Sequence, residues 1–372
     1  MNISVACGFG METATKRELK RLGIDAPALD GRFEFEGGEK EVAKLNLYLR
    51  TADRVLIKLK SFRATTFDEL YEGIKEIAWK EWISRDGFIA VGAKSVKSAL
   101  FSLSAIQSIT KKAIVDRLLQ SYSVLPESGA RYSVEVSILR DEVVVSLDTS
   151  GVGLHKRGYR KLVWEAPIKE TLASGIIELS GWQEDRAMID PFAGSGTFAI
   201  ECCMRALNVP SGYFRNFAFE NYFFIDKSIL DTEKRLASEA IQWDKKVRIS
   251  GFDIKRKAIQ IANQSAKEIG VDKYIHFEVS DMRQVSSRYE GGYIITNPPY
   301  GERLMSHAEV KELYRDFGKL YKSLDGWGAN IITSFPEFER YFGAKSDKER
   351  KVYNAKLLCR IYSYFAKNPN RR

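Results

Sequence analysis

The order of short apolar runs and amphipathic stretches beyond residue 168 constrains this chain more than any other feature. Runs at 187–190, 247–253, 275–279, 293–296 and 330–334 are rich in β-branched or other apolar residues and mostly stop at a polar one. Stretches with helical periodicity at 168–179, 197–207, 256–269 and 308–324 alternate with them. Such a pattern requires a mostly parallel, doubly wound α/β sheet covered by helices on both faces. A ligand of such a sheet belongs at the carboxyl ends of its strands. Residues 208–246, with seven Tyr or Phe residues between 213 and 224, read as an aromatic insertion, and 356–365 as a closing edge strand.

The front of the chain follows a different order. A strand (3–9), helix (13–22), strand (32–36), helix (40–50) and strand (55–62) make a small α+β unit. A helix at 67–82, a strand at 88–93 and a long helix at 103–122 come next. Strands at 132–139 and 142–148 follow, and their two-residue link Arg140-Asp141 suits a hairpin. A length of 372 residues accommodates two or three domains. We place them at 1–62, 63–155 and 156–372.

With 44% apolar and 29% charged residues the chain is globular rather than disordered. Fifty-eight Lys and Arg against 49 Asp and Glu leave a net charge of +9, which favours a polyanionic partner without naming one. Cys7, Cys202, Cys203 and Cys359 show no Cys-x-x-Cys pairing and no His at ligand spacing, so neither a disulfide framework nor a metal is expected. Cys202 and Cys203 suit a helix core as small apolar residues. The scattered His155, His276 and His307 do not support a Ser-His-Asp or metal hydrolase. No basic leader followed by an apolar run opens the sequence, and no run of about 20 apolar residues occurs, which predicts a cytoplasmic protein with no membrane partner. Nothing in the sequence specifies an oligomeric state.

Four segments carry chemistry. Asp190-Pro191-Phe192-Ala193-Gly194-Ser195-Gly196-Thr197 lies where a strand stops and a helix starts. Glycines there admit a ligand close to the backbone, and free amides at the helix start attract a carboxylate or phosphate. The Gly-Lys-Ser/Thr ending of a phosphate-binding loop is missing. Asp253 ends the next strand, where an acid accepts both hydroxyls of a ribose. Its distance from the glycines, stretched by the aromatic insertion, does not suit a dinucleotide fold. Asp281 follows the third strand, placed to accept from an adenine amino group. Asn297-Pro298-Pro299-Tyr300 follows the fourth. Two prolines stiffen the backbone and remove amide donors, leaving carbonyl and amide oxygens as acceptors and Tyr300 as a stacking face. This set suits an exocyclic amino group on a planar base.

In this order the segments resemble the motifs of class I S-adenosylmethionine-dependent amino-methyltransferases of the N6-adenine and N2-guanine type. Further resemblance lies in Lys156-Arg157-Gly158-Tyr159, in the stretch from Ala166 to Thr171, and in the run from Asn297 to Leu304. Together with the aromatic insertion and Lys94-Ser95-Val96-Lys97-Ser98, they make almost the whole chain similar to THUMP-domain RNA methyltransferases, most specifically the large-subunit ribosomal RNA guanine-N2 family. The resemblance implies a Rossmann-like class I methyltransferase domain preceded by a ferredoxin-like unit and a THUMP domain that captures RNA. The second methyltransferase module fused to some members of that family is not expected in a chain that stops at Arg372.

Carried over residue by residue, the resemblance implies that Asp190, Gly194, Gly196 and Thr197 hold the methionine part of S-adenosylmethionine. Asp253 would hold the ribose and Asp281 the adenine, while Thr171 would help close the cofactor site. Asn297, Pro298, Pro299 and Tyr300 would clamp the target base. Lys94, Lys97, Lys111, Lys112, Arg117, Lys156 and Arg157 are the candidate contacts to structured RNA, large-subunit ribosomal RNA or its precursor. A transfer RNA guanine-N2 enzyme, a DNA N6-adenine methylase, and an RNA-binding assembly factor without turnover are the competing readings.

Overall fold

The computed structural model describes residues 1–29, 31–162, 165, 167–300 and 306–366. Ala166 and the 301–304 part of the motif read above lie outside the described residues. The front half contains β1 (Asn2–Cys7), α1 (Glu12–Arg21), β2 (Ala28–Leu29), β3 (Arg32–Glu36), α2 (Glu39–Tyr48) and β4 (Ala52–Arg63). It continues with α3 (Phe67–Lys75), β5 (Phe88–Val96), α4 (Leu103–Leu119), β6 (Arg131–Leu139) and β7 (Glu142–Asp148). All seven strands join one sheet in the order β2-β3-β1-β4-β7-β6-β5. The 12-residue β4 pairs with β1 through its first half and with β7 on its other edge, so the two small units read from the sequence share a sheet.

Local chemistry explains most of these elements. The Thr66 hydroxyl accepts the Glu69 amide at 3.2 Å and starts α3 with a capping box. Arg140 and Asp141 have φ of +52° and +67°, the conformation of a tight hairpin link between β6 and β7. The expected helix over 67–82 instead ends at Lys75 and resumes as a short 3-10 turn, Trp79–Glu81. Trp79 is fully buried there and its indole donates to the Ile74 carbonyl at 2.9 Å, so satisfying the ring breaks the helix.

The second half contains α5 (Glu170–Ser180), β8 (Ala187–Asp190), α6 (Thr197–Ala206), α7 (Lys227–Glu239), β9 (Ile249–Asp253) and α8 (Arg256–Lys267). Next come β10 (Ile275–Val279), β11 (Gly292–Thr296), α9 (His307–Ser323), β12 (Gly328–Thr333), α10 (Phe338–Phe342), β13 (Lys348–Asn354) and β14 (Leu357–Tyr364). Their sheet runs β10-β9-β8-β11-β12-β14-β13, with the first five strands parallel and β14 antiparallel to both its neighbours, β12 and β13. The doubly wound expectation is met. The closing strand is not an edge strand, however: β14 lies between β12 and β13, and the edge is the basic run Lys348–Asn354. Charged residues on an edge strand prevent further pairing, and here they also hide the strand from an apolar-pattern reading.

The aromatic insertion holds α7 and fastens the halves together. Phe217, Phe219 and Tyr222 belong to the front half's core, and Tyr222 stacks on Tyr132 with centroids 4.7 Å apart. Arg215 donates to the carbonyls of Ser150, Gly153 and Lys156 at 2.8–3.2 Å. Arg21 makes a two-pronged contact with Glu178 at 2.8 and 2.9 Å, which Arg205 also joins. No described helix is long and apolar enough to cross a membrane.

Candidate functional site

Parallel register brings the four chemistry-bearing segments to one edge of the second sheet. Asp190 pairs with Gly251, and Val279, two residues before Asp281, pairs with Asp253. Asn297 immediately follows β11, which lies beside β8. Between them opens a cavity of about 460 Å³, lined by Asp190, Gly194, Thr197, Asp253, Asp281 and Asn297 through Tyr300, among others. Five acids line it against Lys255 and Arg283, a balance that suits a cationic ligand.

Each acid is held in place. Asp190 is buried; its Oδ1 accepts from the Thr296 hydroxyl at 2.5 Å and from the Phe192 amide at 3.1 Å. Burial pushes its carboxyl up to about 7 despite these bonds. Asp253 accepts from the amides of Gly194 at 3.0 Å and Lys255 at 2.9 Å, which ties the glycine turn to the second strand end. Burial raises its carboxyl as well. Asp281 accepts from the Arg283 amide at 2.9 Å and pairs with its guanidinium at 3.0 Å. A carboxylate offers about four acceptor positions, so these bonds orient the acids without exhausting them.

The two glycines of the turn differ. Gly194 (φ +52°) lines the cavity. Gly196 (φ +78°) is the N-cap of α6, and a Cβ there would lie 2.8 Å from the Phe277 ring and 2.9 Å from Ala262. It serves close packing of α6 against α8 and β10.

In the Asn-Pro-Pro-Tyr segment, Tyr314 donates to the Pro299 carbonyl at 3.0 Å and so anchors the turn to α9. Pro298 is buried. The Tyr300 hydroxyl receives Asn354 Nδ2 at 3.1 Å and Cys359 Sγ at 3.8 Å from the last hairpin, and burial raises its pKa. Asn297 Oδ1 is buried and has no hydrogen-bond partner among the described residues. An orphaned buried acceptor costs about 1–3 kcal/mol, a cost that a ligand's N–H removes.

Other predicted residues fall elsewhere. Thr171 faces the front half, donating to Asp53 at 2.9 Å, and does not line the cavity. Arg157 is 1% exposed, paired with Glu201 and bonded to the Leu154 carbonyl at 2.6 Å, so it cannot lie on an RNA-facing surface. Lys156 beside it is exposed. The front-half cations do not form one cluster. Lys94 and Lys97 stand at the far end of β5, with Lys94 facing Glu135 at 3.7 Å. Lys111 lies over Phe88 at the strand's start and pairs with Glu127. At roughly 3.3 Å per residue the two ends of β5 are about 25–30 Å apart. Lys112 sits over Tyr71, and exposed Arg117 donates to Gln120.

Sequence reasoning missed Arg160. Its guanidinium donates to the Thr197 hydroxyl at 2.5 Å and the Ile168 carbonyl at 3.0 Å, both at the cavity wall, and pairs with Glu170 at 3.4 Å. The only signal was a basic residue just past the Gly-rich connection. Cys202 and Cys203 are buried free thiols on α6, as expected of core residues. Among the described residues no group of three His, Cys, Asp or Glu could hold a metal.

Comparison with known proteins identifies this architecture. Residues 157–363 match the model of the RMKL-like methyltransferase domain, residues 2–56 the RlmL ferredoxin-like domain and residues 64–148 the THUMP domain. The chain belongs to the RMKL-like methyltransferase family. The candidate RNA methyltransferase YpsC of Bacillus subtilis is 39% identical, covering 98% of this chain and 96% of that protein. The ribosomal RNA large subunit methyltransferase K/L of Psychromonas ingrahamii is 34% identical over 95% of this chain. This chain spans about half of that longer protein (49%). The crystal structure of SMU.472, a candidate methyltransferase complexed with S-adenosylhomocysteine, superposes with a TM-score of 0.94 at 38% identity, covering 99% and 98% of the two chains. The chain therefore joins a ferredoxin-like unit and a THUMP domain to an RMKL-like methyltransferase domain.

Proposed function

We propose that this methyltransferase acts in the cytoplasm and transfers a methyl group from S-adenosylmethionine to the exocyclic N2 amino group of a guanine in large-subunit ribosomal RNA. The observation that carries the reading is the orphaned Asn297 Oδ1 at the wall of an acid-lined cavity. The residues present fit the donor: Asp190 and the Gly194–Thr197 turn would hold its methionine part, Asp253 its ribose and Asp281 its adenine. When bound, S-adenosylmethionine supplies an electrophilic sulfonium methyl group.

The chain's own task is positioning. A guanine amino nitrogen is conjugated into its ring and a poor nucleophile. Asn297 Oδ1 and the Pro298 carbonyl would accept its two hydrogens and favour a pyramidal nitrogen, while Tyr300 stacks on the base. Catalysis by orientation and fixed dipoles needs no strong base, and the proton leaves after transfer, when the substituted nitrogen is acidic.

We assign residues 1–62 and 63–155 to RNA capture and 156–372 to catalysis. Lys94, Lys97, Lys112, Arg117 and Lys156 remain accessible for phosphate contacts. The THUMP match favours RNA over DNA as the target. Mass spectrometry of nucleosides from a deletion strain tests the proposal. Loss of N2-methylguanosine from large-subunit RNA is expected; loss from transfer RNA alone, or no loss, would overturn it.

A further inference from the structure

Three large apolar side chains stand in solvent on and beside the hairpin that contacts Tyr300. Phe9 is 60% exposed, Tyr353 51% and Leu358 47%. They come from segments remote in sequence, the turn after β1 and the β13–β14 hairpin. The rings of Phe9 and Tyr353 meet edge to face with centroids 5.8 Å apart, and Tyr353 lies opposite Leu358 in the hairpin register. Single exposed apolar residues are ordinary, whereas a contiguous group marks a contact surface.

The two segments are locked together. A Cβ on Gly10 would lie 2.5 Å from the Lys351 carbonyl oxygen, and Arg350 donates to the Gly10 carbonyl at 3.2 Å. The same hairpin reaches the base clamp, because Asn354, next to Tyr353, donates to the Tyr300 hydroxyl. The hairpin therefore carries the patch next to the clamp contact, with Tyr353 on the strand face opposite Asn354. It is also basic: residues 348–360 hold five Lys or Arg against a single acid, Glu349. Lys351 and Arg360 face each other across the strand pair, on the same side as Tyr353 and Leu358.

Aromatic faces interleaved with cations make a platform for single-stranded nucleic acid, the rings taking bases and the cations phosphates. A base drawn out of its stack leaves its neighbours with uncovered faces. We propose that Phe9 and Tyr353, flanked by Leu358, form a stacking lip for the nucleotides adjoining the target base, with Lys351 and Lys356 along their phosphates. The lip gives the ferredoxin-like unit a direct hand in substrate choice through Phe9. It rests on the RNA methyl-transfer reading above.

The test is methyl transfer from radiolabelled S-adenosylmethionine to unmodified, in vitro transcribed large-subunit ribosomal RNA, with the full chain. Phe9→Ala and Tyr353→Ala are each expected to raise the KM for RNA about tenfold, the scale of losing one base–aromatic stack. Kd for S-adenosylmethionine, read by calorimetry, stays at the wild-type value, and Tyr353→Trp restores the KM. An active wild type whose alanine variants keep the RNA KM overturns the lip alone. So does a wild-type dimer that the same variants convert to monomer, since the patch would then cover a second copy. A wild type that binds S-adenosylmethionine yet methylates neither this RNA nor unmodified transfer RNA overturns the parent reading, and the lip with it.

Discussion

Asn297 and Asp190 sit on neighbouring strand ends and make separable demands on the site. Removing the Asn297 acceptor by Asn297→Ala is expected to lower turnover by roughly 10²-fold or more, the scale of losing one positioned polar group. Binding of S-adenosylmethionine should persist in calorimetry, and near-wild-type turnover would remove Asn297 from the chemistry. Asp190 makes a pH-dependent demand. Its carboxyl holds a proton to about pH 7 in the folded chain, whereas an unfolded Asp loses it near 4. The folded state thus binds more protons in that window, and Asp190 costs stability as pH rises from about 4 to 7. A cationic ligand against the ionised carboxylate offsets that cost. The rise in Tm produced by S-adenosylmethionine should therefore be larger at pH 8 than at pH 6; an equal or smaller rise at pH 8 would contradict the contact. Both residues were legible in the sequence because each ends an apolar run. Arg157 misled for the opposite reason: sequence gives its charge but not its depth, and Glu201 draws it inside.

At the scale of elements, the glycine turn and the last hairpin show where pattern reading works and where it stops. Gly196 was read as part of a ligand turn, while its φ of +78° and the closeness of Phe277 make it a packing position as well. Gly196→Ala is expected to destabilise the chain by about 1–3 kcal/mol in urea titration, from left-handed backbone strain and overpacking; unchanged stability would show that α6 can shift aside. The inner parallel strands β8, β11 and β12 were visible because burial on both faces writes a nearly continuous apolar run. β13 was not, because a charged edge strand breaks that code, and its partner β14 was consequently put at the edge. The helix α7 was hidden inside an insertion whose aromatics answer to the other half's core, a tertiary contact that no local spacing reports.

At the scale of the whole molecule, buried contacts tie the two halves together. Glu201 alone accepts from Tyr159 at 3.0 Å and Ser174 at 2.5 Å while pairing with Arg157, whose guanidinium also reaches the Arg50 carbonyl in the front half at 2.5 Å. Glu201→Ala strands a buried guanidinium and should cost about 3–5 kcal/mol. Thermal unfolding followed by two probes, Trp79 in front and Trp327 behind, should show both halves melting together at a lower Tm; separate transitions would deny the coupling. By the same logic residues 151–372 expressed alone bare Phe217, Phe219 and Tyr222 and should aggregate rather than survive as a soluble catalytic fragment. That coupling also bears on how a target is picked. A hinged enzyme could search along an RNA after gripping it, but under the proposed function a front half pinned by Arg157, Arg215 and the aromatic insertion would hold its grip at a set distance from the clamp. On that reading an RNA address would be measured as with callipers, and a nucleotide one helical step out of place would be refused by length alone.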